Sequence, residues 1–359
     1  MFINTDGVFT FGNIPLSQND YETNKRVNDI IKRSREAAKR TTCDYCGKET
    51  TSFCNSHSIP QFLLKNIAVN GKVMTLNSLA EIPIIDVEAG IRKAGTFKLI
   101  CRDCDNTIFS DYEKPDNYST PPTQRMLAQI SMKNNLIAIS KKNIEAEMRK
   151  IELSDFHNHP IIPILEAKNI IGKMDLLEYE RGFRKAKETI EKGKPDSYYM
   201  FFYKKLDYVV PVAFQSYVAL VADFEDRIIN NIFNHSPDYE IKYLHICVFP
   251  LVNESLIFMF INNGEKRYRS FYKQFNKLSL YDQLAAITYI MFGYSEEVYF
   301  SEEIKDIIDN NNLKGLSKIT TDILAPDYST EHLNHIINSL SLQQRNTIPN
   351  LLSEEYKIR

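Results

Sequence analysis

The sequence predicts an α+β protein in three parts: a cysteine-framed N-terminal module, a helical connector and a C-terminal α+β domain. Three observations carry this. Two CxxC pairs, Cys43/Cys46 and Cys101/Cys104, bracket a stretch that reads as short extended pieces broken at Asn-Gly and Ala-Gly. Helical periodicity then runs through RMLAQISMKNNLIAISKKNIEAEMRKIEL and ILEAKNIIGKMDLLEYERGFRKAKETIEKGK. From about residue 197 the composition turns to Tyr, Val, Ile and Phe, as strands require. With 359 residues, 43% of them hydrophobic, the chain can fill two domains, or one domain with a large elaboration.

In chain order, residues 1–20 read as an extended lead-in. Asn19 or Asp20 is placed to cap a helix over residues 21–40, and that lead-in and helix form the first segment, 1–40. The helix carries Lys25, Arg26, Lys32, Arg33, Arg35, Lys39 and Arg40, a pattern that serves either a solvated face or phosphate contacts. The cysteine module occupies 41–114. Residues 112–124, YEKPDNYSTPPTQ, form a proline-rich crossing. The connector, 115–196, is expected as long charged helices forming a stalk or arm. In the last part, 197–359, VFPLVNESLIFMF reads as a hairpin with a polar turn, and helices return from KQFNKLSLYDQL onward. No catalytic motif is readable there, which leaves regulation or oligomerisation as the expectation.

The formal net charge of −2 gives no global basic field, so attraction to nucleic acid would have to come from a local patch. The start, MFINTDGVFTFGN, lacks a basic segment followed by an apolar run. The most apolar window, residues 208–222, is interrupted by Pro211, Gln215 and Ser216 and is too short to span a bilayer. A cytoplasmic protein with reduced cysteines and no membrane partner is expected.

In a reducing compartment, two CxxC pairs read as metal ligands. Each pair lets a tight turn aim two thiolates at one ion, and two turns complete the tetrahedral Cys₄ shell of a structural Zn²⁺. Gly47, just past the first pair, suits the backbone of such a turn. The alternatives are coincidence and two separate redox pairs. Between the pairs lies FCNSHSIPQF with a lone His57, which is open to three readings: a working base, a residue that packs or caps the knuckle, or a ligand in another kind of site. Cys54 reads as an incidental thiol. His157 and His159, in FHNHP, read as a surface loop, and His332 and His335 as a helix surface.

The order CxxC, then Ser56-His57-Ser58-Ile59-Pro60-Gln61-Phe62, then GTFKLICRDC and DNTIFSDYE resembles the HNH family of ββα-metal nucleases. The likeness is to bacterial members with an SHxIP stretch between two CxxC pairs, and it covers residues 41–114. It implies a zinc-knuckle ββα-metal module that hydrolyses phosphodiester bonds. On this chain, His57 would be the general base. Asp105, with Asn106 and Glu113 on the helix after it and Asp111 in support, would hold a catalytic Mg²⁺ or Mn²⁺. Two positions depart from the family pattern. Ser56 stands where an acidic ligand precedes the histidine, and Thr96 stands where an Asn orients the imidazole. The resemblance further implies double-stranded DNA as partner, contacted by Arg33, Lys39, Arg40, Lys98 and Arg102, and a role in bacterial defence against phage or foreign DNA. A protein partner or homo-oligomer through the C-terminal domain goes with that role. The departures at Ser56 and Thr96 motivate the competing expectation: a zinc-stabilised nucleic-acid- or protein-binding module without catalysis.

Overall fold

The strands of the second half alternate side chains across a sheet that is buried on both faces. A computed structural model describes residues 2–3, 9–11, 14–16, 21–77, 84–155, 162–236, 238–311, 313, 315–317 and 330–359. Asn19, Asp20, His157 and His159 lie outside them. β1 (Phe2–Ile3), β2 (Phe9–Phe11) and β3 (Ile14–Leu16) form a small antiparallel sheet ahead of α1 (Tyr21–Ala37).

The principal sheet is wholly antiparallel and has seven strands. In chain order these are β5 (Lys72–Asn77), β6 (Ile84–Gly90), β8 (Tyr198–Leu206), β9 (Val212–Val218), β10 (Leu244–Pro250), β11 (Ser255–Asn262) and β12 (Val298–Phe300). In space they run β6-β5-β12-β9-β10-β11-β8. The hairpin expected in VFPLVNESLIFMF is β10–β11, closed by Leu251 N–H donating to the Glu254 carbonyl at 2.8 Å. The extended pieces between the two cysteine pairs are β5 and β6. They do not stay within the cysteine module: Thr75 pairs with Tyr299 and Met74 with Phe300, so the module lends the sheet two strands.

The period-two rule for side chains divides the interior into two cores. Ile246, Val248, Ile257 and Met259 point to one side, where they meet α6 (Arg269–Phe275) and α7 (Leu280–Tyr294). Ser279 caps α7 by accepting from the Asp282 N–H at 3.1 Å. Cys247, Phe249, Leu256, Phe258 and Phe260 point to the other side, toward the cysteine module and α4 (Gln124–Asp155). Because both faces are covered, β10 and β11 read as continuous apolar runs.

The connector forms α4 and α5 (Ile162–Lys192), packed along each other. It is not a free-standing stalk over its first turns. Residues 126–136 are buried all round, wedged between the cysteine module and the sheet. Their sequence, MLAQISMKNNL, has too few charges to hold that helix in water. Among the described residues no helix is long and apolar enough to cross a membrane.

Candidate metal centre and active site

The four CxxC sulfurs lie within 4.8 Å of one another, and among the described residues no other group of His, Cys, Asp and Glu is gathered in this way. The chain reaches this geometry through local turns. Cys43 N–H donates to the Lys48 carbonyl at 2.9 Å and Gly47 N–H to the Cys43 carbonyl at 2.8 Å, with Gly47 at φ +70. Gly47 takes this left-handed conformation because it has no Cβ to clash. Cys101 N–H donates to Cys43 Sγ at 3.3 Å, the support a thiolate needs. The two pairs are held together by Asp44 N–H on the Leu99 carbonyl and Cys54 N–H on the Ile100 carbonyl, each 2.9 Å. Cys43 is buried and Cys46 exposed. Burial pushes the Cys43 and Cys104 thiols up, while the Lys48 N–H brings Cys46 down to about 7. Four sulfurs in closed array, with backbone donors to at least two of them, fit a structural Zn²⁺ at Zn–S distances of about 2.3 Å.

Beside this centre, β4 (Ser56–His57) pairs antiparallel with β7 (Thr96–Phe97), and α3 (Arg102–Ile108) follows the second cysteine pair. Two short paired strands and a helix therefore stand beside the four cysteines. His57 faces Thr96 across the hairpin and is half-buried. Its Nε2 lies 3.0 Å from the Ile91 carbonyl. A carbonyl only accepts, so Nε2 carries the proton and Nδ1 is left as a free base. Burial, ahead of the opposing Ile91 carbonyl, holds the imidazole below its ordinary pKa, so it is neutral at pH 7. The backbone carbonyl of Ile91 orients the ring. Thr96 Oγ1 instead donates to the Lys93 carbonyl at 3.2 Å.

Asp105 is buried at the start of α3 and closes a polar cluster. Ser56 Oγ donates to its Oδ1 at 2.5 Å and Cys54 Sγ to its Oδ2 at 3.1 Å. A residue the sequence reading did not single out completes the cluster: Lys133, from α4, wholly buried. Its Nζ stands 3.0 Å from Asp105 Oδ1, 3.1 Å from Glu113 Oε1 and 2.5 Å from Ser56 Oγ, and 4.0 Å from the centre of the Phe109 ring. Burial alone would raise the Asp105 carboxyl, but Lys133, with Ser56 and Cys54, outweighs it and holds the carboxyl below its usual range. Glu113 is pushed up by burial, which Lys133 only partly offsets. Cys54, half-buried and donating to Asp105, is raised to about 12 and is no nucleophile at neutral pH.

The other candidate residues are scattered. The helix expected to carry Glu113 ends at Ile108, and Glu113 sits on the turns beyond it, its N–H donating to the Phe109 carbonyl at 3.1 Å. Asn106, next to Asp105 on α3, is exposed. Asp111 is taken up by Arg125 at 2.7 Å and Gln129 at 2.8 Å. Asp105 and Glu113 as they stand do not fit a divalent cation between them, because the Lys133 ammonium fills that place. Of the basic residues, Arg33 reaches Asp29 at 3.7 Å, Lys39 reaches Glu36 at 2.5 Å and Arg40 reaches Asp44 at 3.6 Å. Lys98 and Arg102 are exposed near the hairpin.

The C-terminal sheet supports the site from behind. Gln215 Nε2, from β9, donates to the carbonyl of Ser58 at 2.7 Å, directly after His57. Asn134, next to Lys133, lies 3.1 Å from His245 Nδ1, whose ring is stacked on Phe260. Ser58 N–H donates to the Gly95 carbonyl at 2.7 Å, closing the hairpin. One signal in the sequence pointed to Lys133: it shares a helical face with Ile130, Leu136 and Ile137, a charge in an apolar stripe. The carbonyl of Ile91 left none. No family model matches this chain, nor does any curated protein or solved structure.

Proposed function

We propose that this chain is a zinc-framed phosphodiester hydrolase of the HNH type acting on nucleic acid, double-stranded DNA in the first place, with His57 as general base. The observation that carries the reading is the fixed tautomer of His57: Nε2–H is tied to the Ile91 carbonyl, and a neutral Nδ1 is free on a half-buried ring. Nδ1 takes a proton from water as its oxygen attacks phosphorus, and the bond to the leaving oxygen breaks. Exposed Arg92, Lys93, Lys98 and Arg102 border the hairpin and supply positive charge to the phosphate oxygens. The resemblance implies Mg²⁺ or Mn²⁺ at Asp105. With Lys133 bridging Asp105 and Glu113, no step here is assigned to such an ion. The sheet of residues 197–359 acts as a brace behind the hairpin. A role in defence against foreign DNA, and assembly with itself or a partner through that half, remain part of the proposal on the resemblance alone.

The test is plasmid cleavage by purified protein with and without added Mg²⁺ or Mn²⁺, comparing wild type with His57→Ala and measuring zinc alongside. Cleavage by wild type, and none by a His57→Ala protein that keeps its zinc, is the expected result. Cleavage that persists in His57→Ala removes the histidine from the chemistry. A second reading is favoured by the buried Lys133 cluster: a zinc-stabilised module that binds nucleic acid or protein without cutting. It expects no cleavage under any metal condition and equal DNA retardation by wild type and His57→Ala.

A further inference from the structure

We infer that Lys133 is a built-in replacement for the second cation of this site: the module takes up one metal ion, at the four cysteines, and the chain's own ammonium serves Asp105 and Glu113. The inference concerns the site of the proposed function but does not depend on cleavage, since its test reads ion binding.

The stoichiometry of donors and acceptors is closed. An ammonium has three N–H donors, and three oxygens face this one: Asp105 Oδ1, Glu113 Oε1 and Ser56 Oγ. The Phe109 ring covers it at 4.0 Å. Two carboxylates and a hydroxyl are the hard oxygen donors that a Mg²⁺ or Mn²⁺ would take. Here their lone pairs already point at a positive charge. Adding a divalent ion would set it against an ammonium in a dry interior, where like charges repel far more than in water. Nor has the ammonium an easy retreat. Lys133 has none of its side chain exposed, and its segment of α4 is pinned by its neighbours. Asn134 reaches His245 Nδ1 at 3.1 Å and accepts from Gln215 Nε2, on β9, at 3.3 Å. A buried ammonium is costly unless it is paired, and the two carboxylates supply that pairing.

The experiment is a titration of zinc-loaded protein with Mn²⁺, free Mn²⁺ being read by electron paramagnetic resonance. Wild type is expected to bind none. Lys133→Ser, which removes the ammonium and leaves the oxygens, is expected to gain one Mn²⁺ per chain and to lose it in Lys133→Ser/Asp105→Asn. Mn²⁺ bound by wild type and released in Asp105→Asn would overturn the inference, because Lys133 would then be stepping aside. A folded, zinc-bearing Lys133→Ser that takes up no Mn²⁺ would overturn it too, since the oxygens would then not form a cation site. The wild-type titration decides even where the variants fail to fold. His57→Ala leaves all these readings unchanged, so failure of the base assignment is seen separately.

Discussion

Replacing Gly95 by Ala tests how the hairpin that carries His57 is held. Gly95 sits at φ +59, and a Cβ there would overlap Tyr299 Oη and lie 2.6 Å from Ser58 Oγ and 2.9 Å from Tyr299 Cζ. Two costs combine. An L-residue in the left-handed region costs about 1–2 kcal/mol. Forcing a methyl into a packed site costs about 1–3 kcal/mol more. Tyr299 has little room to yield, being 3% exposed, and its hydroxyl donates to Glu297 Oε2 at 2.7 Å. If the ring swings away, that charge-assisted bond goes with it, at about 1.5–3 kcal/mol. Gly193 supplies an internal control: the same φ of +59, with nothing within 4 Å of its virtual Cβ. Urea unfolding of Gly95→Ala and Gly193→Ala, followed by tyrosine fluorescence, should place Gly95→Ala lower in stability by about 1–3 kcal/mol, the overlap cost alone. Equal losses in the two variants, within about 0.5 kcal/mol, would refute the claim that Tyr299 and Ser58 press on the hairpin.

Three other outcomes are expected. Burial holds His245 down to about 3, against 6.5 in an exposed chain, so the unfolded state binds the extra proton between those values. Stability is then intact above pH 6.5 and falls as pH drops toward 3, by about 2 kcal/mol at pH 5; urea midpoints at pH 7 and 5 should differ less in His245→Gln than in wild type. One zinc per chain is expected by metal analysis, and Cys46→Ser, at the exposed ligand, should lose it and unfold the turns around residues 43–54, seen as new protease cuts there. If His57 is the base, cleavage must follow its neutral form. Because burial lowers its pKa below 6.5, kcat/KM should stay flat down to that pH and fall only below it. An acid limb above 6.5 would point to another group.

What the sequence made legible was local. The cysteine turns are set by spacing and one glycine. The polar turn of β10–β11 and the helices after it also follow from short-range pattern. The missed parts are contacts between distant residues. Ile91 orients His57 through a carbonyl, a group every residue owns, so no letter in the sequence marks it. Lys133 reaches Asp105 from the connector, and its single hint, a charge on an apolar helical face, is shared by many snorkelling lysines. The pairing of β5 with β12 joins an extended piece of the cysteine module to Val298–Phe300, a short strand inside a stretch that reads as helical. Thr96 was placed by analogy of position, and its hydroxyl turned to the nearer Lys93 carbonyl.

The sharing of one sheet between the cysteine module and the second half has a consequence for biosynthesis. The cysteine turns emerge from the ribosome early and need only each other and a metal ion. The brace behind His57 comes much later: Gln215 follows its Ser58 partner by 157 residues, and Tyr299, which bears on Gly95, arrives later still. Contacts so far apart in sequence form slowly and only after the intervening chain is made. The contacts that brace the strand of His57 therefore cannot all form until the last strand of the sheet has been synthesised.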